Sequence, residues 1–443
     1  MAFPDSIVAL SSGRLPAGIA VVRISGPQTR FAVETIVGKL PAPRTATYAS
    51  FRDAGGARID SGLILFFSRP TSFTGEDVAE FHLHGGKAVV AALLDALTQL
   101  PSIRIAEAGE FTRRAFLNGK LDLLEAEALA DLISAETEAQ RRLAVHNSEG
   151  AQSALYLEWR RRLIHARAMI EADLDFSDES DVPGSVADTV WQDIRLLLDE
   201  IRSHVSGYRK AEIIRDGFDV VILGAPNAGK SSLLNTLARR DAAIVSDEPG
   251  TTRDLVELVL DLDGSKVRLT DTAGIRADAG KVEAIGIDRA KARASKADLV
   301  LHLVDVEAPA DLDLALPGMN MLTIGTKVDL LSLPELAATK NQFDFLASSQ
   351  TGEGIPELLD AIAKYAAHAT GGAGEVLPSR LRHVGFLRET AAYLEVALEE
   401  DHLEVEMRAD DLRLAADRLG RISGAVDVED LLDVIFSEFC IGK

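Results

Sequence analysis

Residues 219–237 read DVVILGAPNAGKSSLLNTL, and their order of residue types decides the fold of the segment around them. Asp219 to Leu223 is a short apolar run with β-branched residues, the composition of a buried strand. Gly224-Ala225-Pro226-Asn227-Ala228-Gly229-Lys230-Ser231 follows at once and has P-loop spacing, and Ser232 to Leu237 supplies the helix that should come next. Glycines let backbone N–H groups curl around phosphates at a helix N-terminus, where the peptide dipoles favour negative charge. Lys230 then supplies a point charge for the β- and γ-phosphates, and the Ser231 hydroxyl a ligand for Mg²⁺. Ala228, Gly229 and Ser232 complete the loop's contact surface.

Four further elements follow in the order that a GTP site requires, each at a strand end. Thr251-Thr252-Arg253-Asp254 precedes a strand, with Thr252 able to complete the Mg²⁺ shell. Asp271-Thr272-Ala273-Gly274 ends the strand 267–270, so that Asp271 reaches the metal and the Gly274 N–H senses the γ-phosphate. Thr326-Lys327-Val328-Asp329 follows the strand 321–324. Asp329 is placed to accept from guanine N1–H and the exocyclic amine, a pair that adenine does not offer. Ser348-Ser349-Gln350 ends the strand 343–347, where a backbone contact to the base carbonyl is usual. Two positions depart from the common pattern. Thr326 replaces an asparagine, so a hydroxyl stands where an amide ties two loops together, and weaker nucleotide retention is expected. Ile275 stands where signalling GTPases carry the water-orienting glutamine, which passes that task to Arg276, Glu283 or the switch loop.

Outward from this domain the periodicity changes. Residues 119–214 are helical, with Leu121, Leu124, Ala128 and Leu132 at spacings of three and four, and 176–183 is an acidic loop. Residues 369–374 read as a flexible linker, after which helical spacing resumes to about 435. Residues 1–118 mix strands (18–24, 63–67) with an amphipathic helix (88–100) stopped by Pro101. The expected architecture is therefore multidomain: an N-terminal α/β domain (1–118), an all-α helical domain split into 119–214 and 373–443, and an inserted P-loop, Ras-like GTPase domain (215–372).

The 443-residue chain carries a formal net charge of −22, which opposes unspecific binding to nucleic acid; any RNA contact needs a local basic patch or a second protein. Arg113-Arg114, Arg141-Arg142 and Arg160-Arg161-Arg162 are the candidate patches, against the plain alternative of solvated helix faces. One cysteine, Cys440, precludes an internal disulfide and suits a reducing cytoplasm; no signal peptide or membrane span is expected. His82 and His84 alternate onto one strand face without acidic or cysteine companions at ligand spacing, so no metal site is expected there.

From end to end, the chain resembles the bacterial tRNA-modification GTPases of the MnmE (TrmE) family. The resemblance rests on Asp5-Ser6-Ile7-Val8-Ala9, 21–26 (VVRISG), 74–80 (TGEDVAE), His84-Gly85-Gly86, the long run 109–123 (GEFTRRAFLNGKLDL) and the last five residues, Phe439 to Lys443. It implies an N-terminal folate-binding domain that dimerises, giving a homodimer. It also implies action with the flavoprotein MnmG on certain tRNAs, where a carboxymethylaminomethyl or aminomethyl group is built at C5 of the wobble uridine, U34. The one-carbon unit would come from a tetrahydrofolate derivative. By position, Asn227 becomes a K⁺ ligand with Ser246, Glu248 and Thr251, and Glu283 matches the glutamate that positions the attacking water. Asn227, Lys230 and Glu283 thus form the expected catalytic set, with Ser246, Thr251, Thr272 and Ala273 lining the nucleotide. Arg253 and Arg276 match arginines linked to the switches. Arg23, Glu80, Lys120 and Lys443 match the folate site, where basic groups suit a glutamate tail and a carboxylate suits pterin N–H groups. A regulatory or ribosome-assembly GTPase is the alternative; its usual basic RNA-binding tail is missing, since Glu399-Glu400-Asp401 and Asp410-Asp411 make this tail acidic.

Overall fold

The computed structural model describes residues 3–175, 185–240, 242–244, 257–271, 292–308, 318–371, 375–399 and 404–426, with 432, 435, 436, 439 and 442 beyond them. They divide into two compact units, Met1–Ala130 with Ser148–Ile194 and Ala392–Lys443, and Asp131–Asn147 with Arg195–Ala391.

In the first unit, β1 (Ser6–Leu10), β2 (Ala17–Ser25), β3 (Thr47–Arg52), β4 (Arg58–Phe67), β5 (Val78–Gly85) and β6 (Ile103–Ile105) form a sheet in the order β3-β4-β5-β2-β1-β6. All neighbours are antiparallel except β1 and β6. Period-two alternation sorts its side chains. Val22, Ile24, Phe66, Ala79 and Phe81 pack with α1 (Thr29–Val37) and α2 (Lys87–Thr98) in one core. Ile7 and Ala9 pack on the opposite face with Ala106 and Phe111, the latter from α3 (Glu110–Leu117).

The doublet Arg113-Arg114 is not a plain surface patch. Arg114 is 1% exposed and its guanidinium reaches Asp5 Oδ1 at 2.8 Å, Glu110 Oε1 at 2.9 Å and Glu76 Oε1 at 3.3 Å. A buried cation is tolerable only with such partners. Burial raises the Glu110 carboxyl pKa, but Arg104, the Glu107 N–H and Arg114 bring it below its ordinary value. The far end of the chain joins this unit too: Phe436 and Phe439 pack with Leu123 and Phe116, and Ser11 Oγ donates to the Gly442 carbonyl at 2.8 Å.

The second unit holds β7 (Phe218–Gly224), β8 (Glu257–Leu262), β9 (Ser265–Asp271), β10 (Leu299–Asp305), β11 (Met321–Thr326) and β12 (Phe345–Ala347), ordered β12-β11-β10-β7-β9-β8. Only the β8–β9 hairpin is antiparallel. β7 is buried from Phe218 to Leu223, as an apolar strand between two parallel neighbours should be. Its neighbours β9 and β10 lie on opposite sides, so the loop after β7 opens at the carboxyl end of the sheet where the strand order reverses, the standard position for a ligand in such folds. The last strand begins at Phe345 rather than 343 because a 3₁₀ turn occupies Lys340–Gln342. The helix Ile355–Thr370 extends into the stretch read as a linker from residue 369.

The helix Ile355–Thr370 that closes this sheet starts from Gly354, held at φ 72°. A Cβ there would lie 1.8 Å from the Leu346 carbonyl oxygen. Gly354→Ala is therefore expected to destabilise the unit by about 3 kcal/mol, combining left-handed strain with overpacking. Gly38→Ala, with similar φ but open space around it, should cost only about 1 kcal/mol. Urea titrations of the two variants check this, and equal midpoints would contradict it.

Candidate functional site: the P-loop and its neighbours

The loop after β7 takes its shape from two left-handed residues, Asn227 at φ 67° and Gly229 at φ 92°. Asparagine tolerates this region better than most side chains do, which gives Asn227 a conformational role whatever else it does. The helix Lys230–Ala238 begins directly after Gly229, so its free N–H groups face the loop. Ala228 is buried and Ser231 and Ser232 are exposed at the helix start. Lys230 Nζ donates to the carbonyls of Gly224 at 2.7 Å and Ala225 at 2.8 Å. Burial pushes its pKa down, and Asp271 opposes that shift. Ser231 Oγ lies 3.2 Å from Asp271 Oδ2 at the end of β9. A hydroxyl and a carboxylate oxygen meeting beside an ammonium and helix N–H groups fit a divalent cation shared with a triphosphate.

The base-side loops are also tied to this centre. Thr326 makes one link of the kind an asparagine amide would make. Its Oγ1 donates to the Ala228 carbonyl at 2.8 Å, with Val304 O the alternative acceptor at 3.2 Å, so the hydroxyl does link the guanine-motif strand to the P-loop. Threonine is long enough because β11 runs close to the loop: the nearest atoms to a Cβ on Gly229 would be Thr326 Cβ and Oγ1 at 3.8 Å. Lys327, at φ 64°, sends Nζ to Asp305 Oδ2 at 2.6 Å. Burial raises the Asp305 pKa, while Lys327 and the backbone N–H groups of Glu307 and Ala308 bring it below its ordinary value. Asp329 accepts from Ser348 Oγ, and Ser348 Oγ in turn accepts from the N–H groups of Gln350 and Thr351, both at 3.1 Å. The Ser349 carbonyl accepts from Thr236 Oγ1 at 3.1 Å. Asp329 is thus oriented by the neighbouring loop, a role for Ser348 that the sequence reading had left to the backbone.

In the first unit Arg23 and Glu80 are direct cross-strand partners, joined by Arg23 Nε at 3.0 Å and Nη2 at 2.9 Å. Phe111 and Phe73 flank the guanidinium, its Cζ 5.7 Å and 5.8 Å from their ring centroids. Neither aromatic was singled out from the sequence, although Phe111 stands inside the quoted run 109–123. The Lys120 side chain runs along Gly75, where a Cβ would meet its Cγ at 3.3 Å. His82 Nε2 lies 3.6 Å from Glu80 Oε2, and His84 Nδ1 lies 3.0 Å from Asp60 Oδ1. Ser246, Glu248, Thr251, Thr252, Arg253, Thr272, Ala273, Gly274, Arg276, Glu283, Cys440 and Lys443 lie outside the described residues, as does the acidic loop 176–183.

A parallel sheet with one antiparallel edge hairpin, a P-loop at its switch point and a carboxylate held at the base-side loop define a P-loop GTPase. The family model for the GTP-binding protein TrmE N-terminus matches residues 6–120, and that for the MnmE helical domain matches 123–440. The tRNA modification GTPase MnmE of Mesorhizobium japonicum is 63% identical over 440 residues, 99% of this chain and 99% of that protein. The protein of the same name from a Chelativorans species is 58% identical over 439 residues, covering 99% and 98%. The G domain of the T. maritima FeoB iron transporter aligns at 30% identity over 34% of this chain and 98% of that domain, with a TM-score of 0.25. The chain belongs to the MnmE (TrmE) family of tRNA modification GTPases, and it is a GTP hydrolase. Among the described residues no helix is long and apolar enough to cross a membrane.

Proposed function

We propose that this chain hydrolyses GTP as a cytoplasmic homodimer and, with the flavoprotein MnmG, serves the building of the aminomethyl-type group at C5 of U34 in certain tRNAs. The observation that carries the GTP part is the convergence of Lys230, Ser231 and Asp271 on one side of the P-loop with Asp329 held on the other. Ser231 and Thr252 would hold Mg²⁺, which supplies charge for the bridging and leaving oxygens when bound. Lys230 draws charge from the β- and γ-phosphates as the bond to the leaving group lengthens. The loop N–H groups orient the phosphate chain, with Ala228 and Gly229 placed to contribute. Asp329, with Thr326 and Lys327 bracing its loop, selects guanine.

Asn227, Ser246, Glu248 and Thr251 would hold K⁺, the cationic charge that an arginine supplies in other GTPases. Glu283 positions the attacking water in this reading. Replacing K⁺ by Na⁺ at constant ionic strength is expected to lower kcat for GTP about tenfold or more. An unchanged kcat would remove the potassium site.

Arg23, Glu80 and Lys120, with Lys443, bind the tetrahydrofolate derivative. A charged pair against two aromatic rings fits a flat heterocycle bearing N–H donors and an anionic tail. Arg23→Ala is expected to weaken folate binding on the order of tenfold to a hundredfold in calorimetry, leaving GTP hydrolysis unaltered. Equal binding by the variant would overturn the site. Nucleoside analysis of tRNA from a deletion strain and its parent tests the tRNA role directly; identical wobble uridines would end it.

A further inference from the structure

A chain with net charge −22 that touches tRNA itself needs a local patch to hold phosphates, and most arginines of the clusters evident in the sequence are paired with acids. Arg114 is spent on the buried network. Arg141 and Arg142 both bind Glu138 at 2.7 Å; Arg161 binds Glu158 at 2.6 Å and Arg162 binds Asp193 at 2.7 Å. Among the described residues, three exposed arginines whose hydrogen bonds go to uncharged acceptors lie together on the edge hairpin of the first unit.

Strand β3 is the sheet edge, and in its pairing with β4 Arg52 stands directly opposite Arg58. Like charges in that position repel, and both side chains are exposed. Their hydrogen bonds go to uncharged acceptors: Arg52 Nη1 to the Gly56 carbonyl at 3.0 Å, Arg58 Nη2 to Ser61 Oγ at 2.9 Å. The acid nearest in sequence, Asp53, accepts from the Ala57 N–H through Oδ1 at 2.8 Å. At the other end of β3, exposed Arg44 donates to the Thr71 carbonyl and covers Phe67, its Cζ 5.7 Å from the ring centroid. Between the two ends Tyr48 is 72% exposed, its hydroxyl 3.1 Å from Ser61 Oγ. An aromatic face between arginines favours RNA over an acidic protein, because phosphates take the cations and an unpaired base takes the ring.

We propose that the β3–β4 edge hairpin is an RNA-docking surface, with Arg44, Arg52 and Arg58 gripping backbone phosphates of tRNA and Tyr48 offering a stacking platform. It rests on the tRNA-directed role proposed above and adds where this acidic chain itself touches the nucleic acid.

The test measures binding of a tRNA transcript with uridine at the wobble position to the full-length protein, over a salt series, by fluorescence anisotropy. The double variant R52A/R58A is expected to bind on the order of tenfold more weakly, with a log Kd against log salt slope shallower by about 1 to 2. R52K/R58K, which keeps the charges, should restore most of both. R141A/R142A should match the parent, as should GTP hydrolysis and thermal melting in all three. Parent-like tRNA binding by R52A/R58A, or a lysine variant no better than the alanine one, overturns the proposal. So does a parent chain that holds no tRNA at any salt while wobble-uridine modification in cells still depends on it; the tRNA role would then stand with the contact made by a partner. Loss of partner-protein binding in R52A/R58A with tRNA binding unchanged would overturn it in favour of protein docking.

Discussion

Asp329→Asn is expected to lower affinity for guanine nucleotides by about a hundredfold to a thousandfold. The carboxylate accepts two hydrogen bonds from guanine in the proposed pose, one from N1–H and one from the exocyclic amine. An amide offers one oxygen and directs an NH₂ donor at a donor. Xanthine carries a carbonyl where guanine has that amine, so the variant should prefer xanthosine triphosphate. Asparagine is the informative replacement because its oxygen still accepts from Ser348, so the loop keeps its brace. Equilibrium competition among the GTP, xanthosine and ATP forms gives the answer. Unchanged GTP preference in the variant would show that the base is read elsewhere.

Lys230→Ala should reduce kcat for GTP by about a thousandfold, with nucleotide affinity falling less. Lys230 is buried at the loop, and its two carbonyl partners hold the ammonium at the mouth of the phosphate cradle. Burial pulls its pKa down, Asp271 restrains that shift, and the remaining charge acts where few water molecules screen it. Its loss is felt most in the transition state, where charge moves onto the leaving oxygen. Single-turnover rates at saturating GTP, in K⁺ and Mg²⁺, separate chemistry from binding. A rate within threefold of the parent would remove Lys230 from the reaction.

The nucleotide half of this molecule could be read almost entirely from spacing. Each GTP element within the described residues follows an apolar run, and a parallel sheet places the ends of such runs along one crevice, so linear order becomes spatial proximity. What escaped were features made by residues far apart in the chain. Arg114 reads as half of a basic doublet, yet it is buried because Asp5 and Glu76 arrive from strand ends 109 and 38 residues away. Thr326 reads as a weak substitute for asparagine; its reach to Ala228 depends on how closely β11 approaches the P-loop. The N-terminal sheet was only partly visible, since four of its strands are short or interrupted by polar residues. The pairing Arg52 with Arg58 shows only once the hairpin register is known. The pocket aromatics likewise become walls only in the folded unit, Phe111 through the packing of α3 on β1 and Phe73 from the segment between β4 and β5, both against Arg23.

The joining of Ser11 to Gly442, with Phe436 and Phe439 seated on Leu123 and Phe116, has a consequence for biosynthesis. Segments translated early wait for segments translated 431 residues later before the unit is whole. Hydrophobic faces around Phe116 and Leu123 stay open on the nascent chain while the entire GTPase insert is synthesised, and domains generally fold in the order they emerge. The nucleotide-binding domain should therefore mature first, leaving the N-terminal unit dependent on the later codons for residues 436–442. A stalled ribosome would release a chain able to bind GTP yet lacking its completed N-terminal partner.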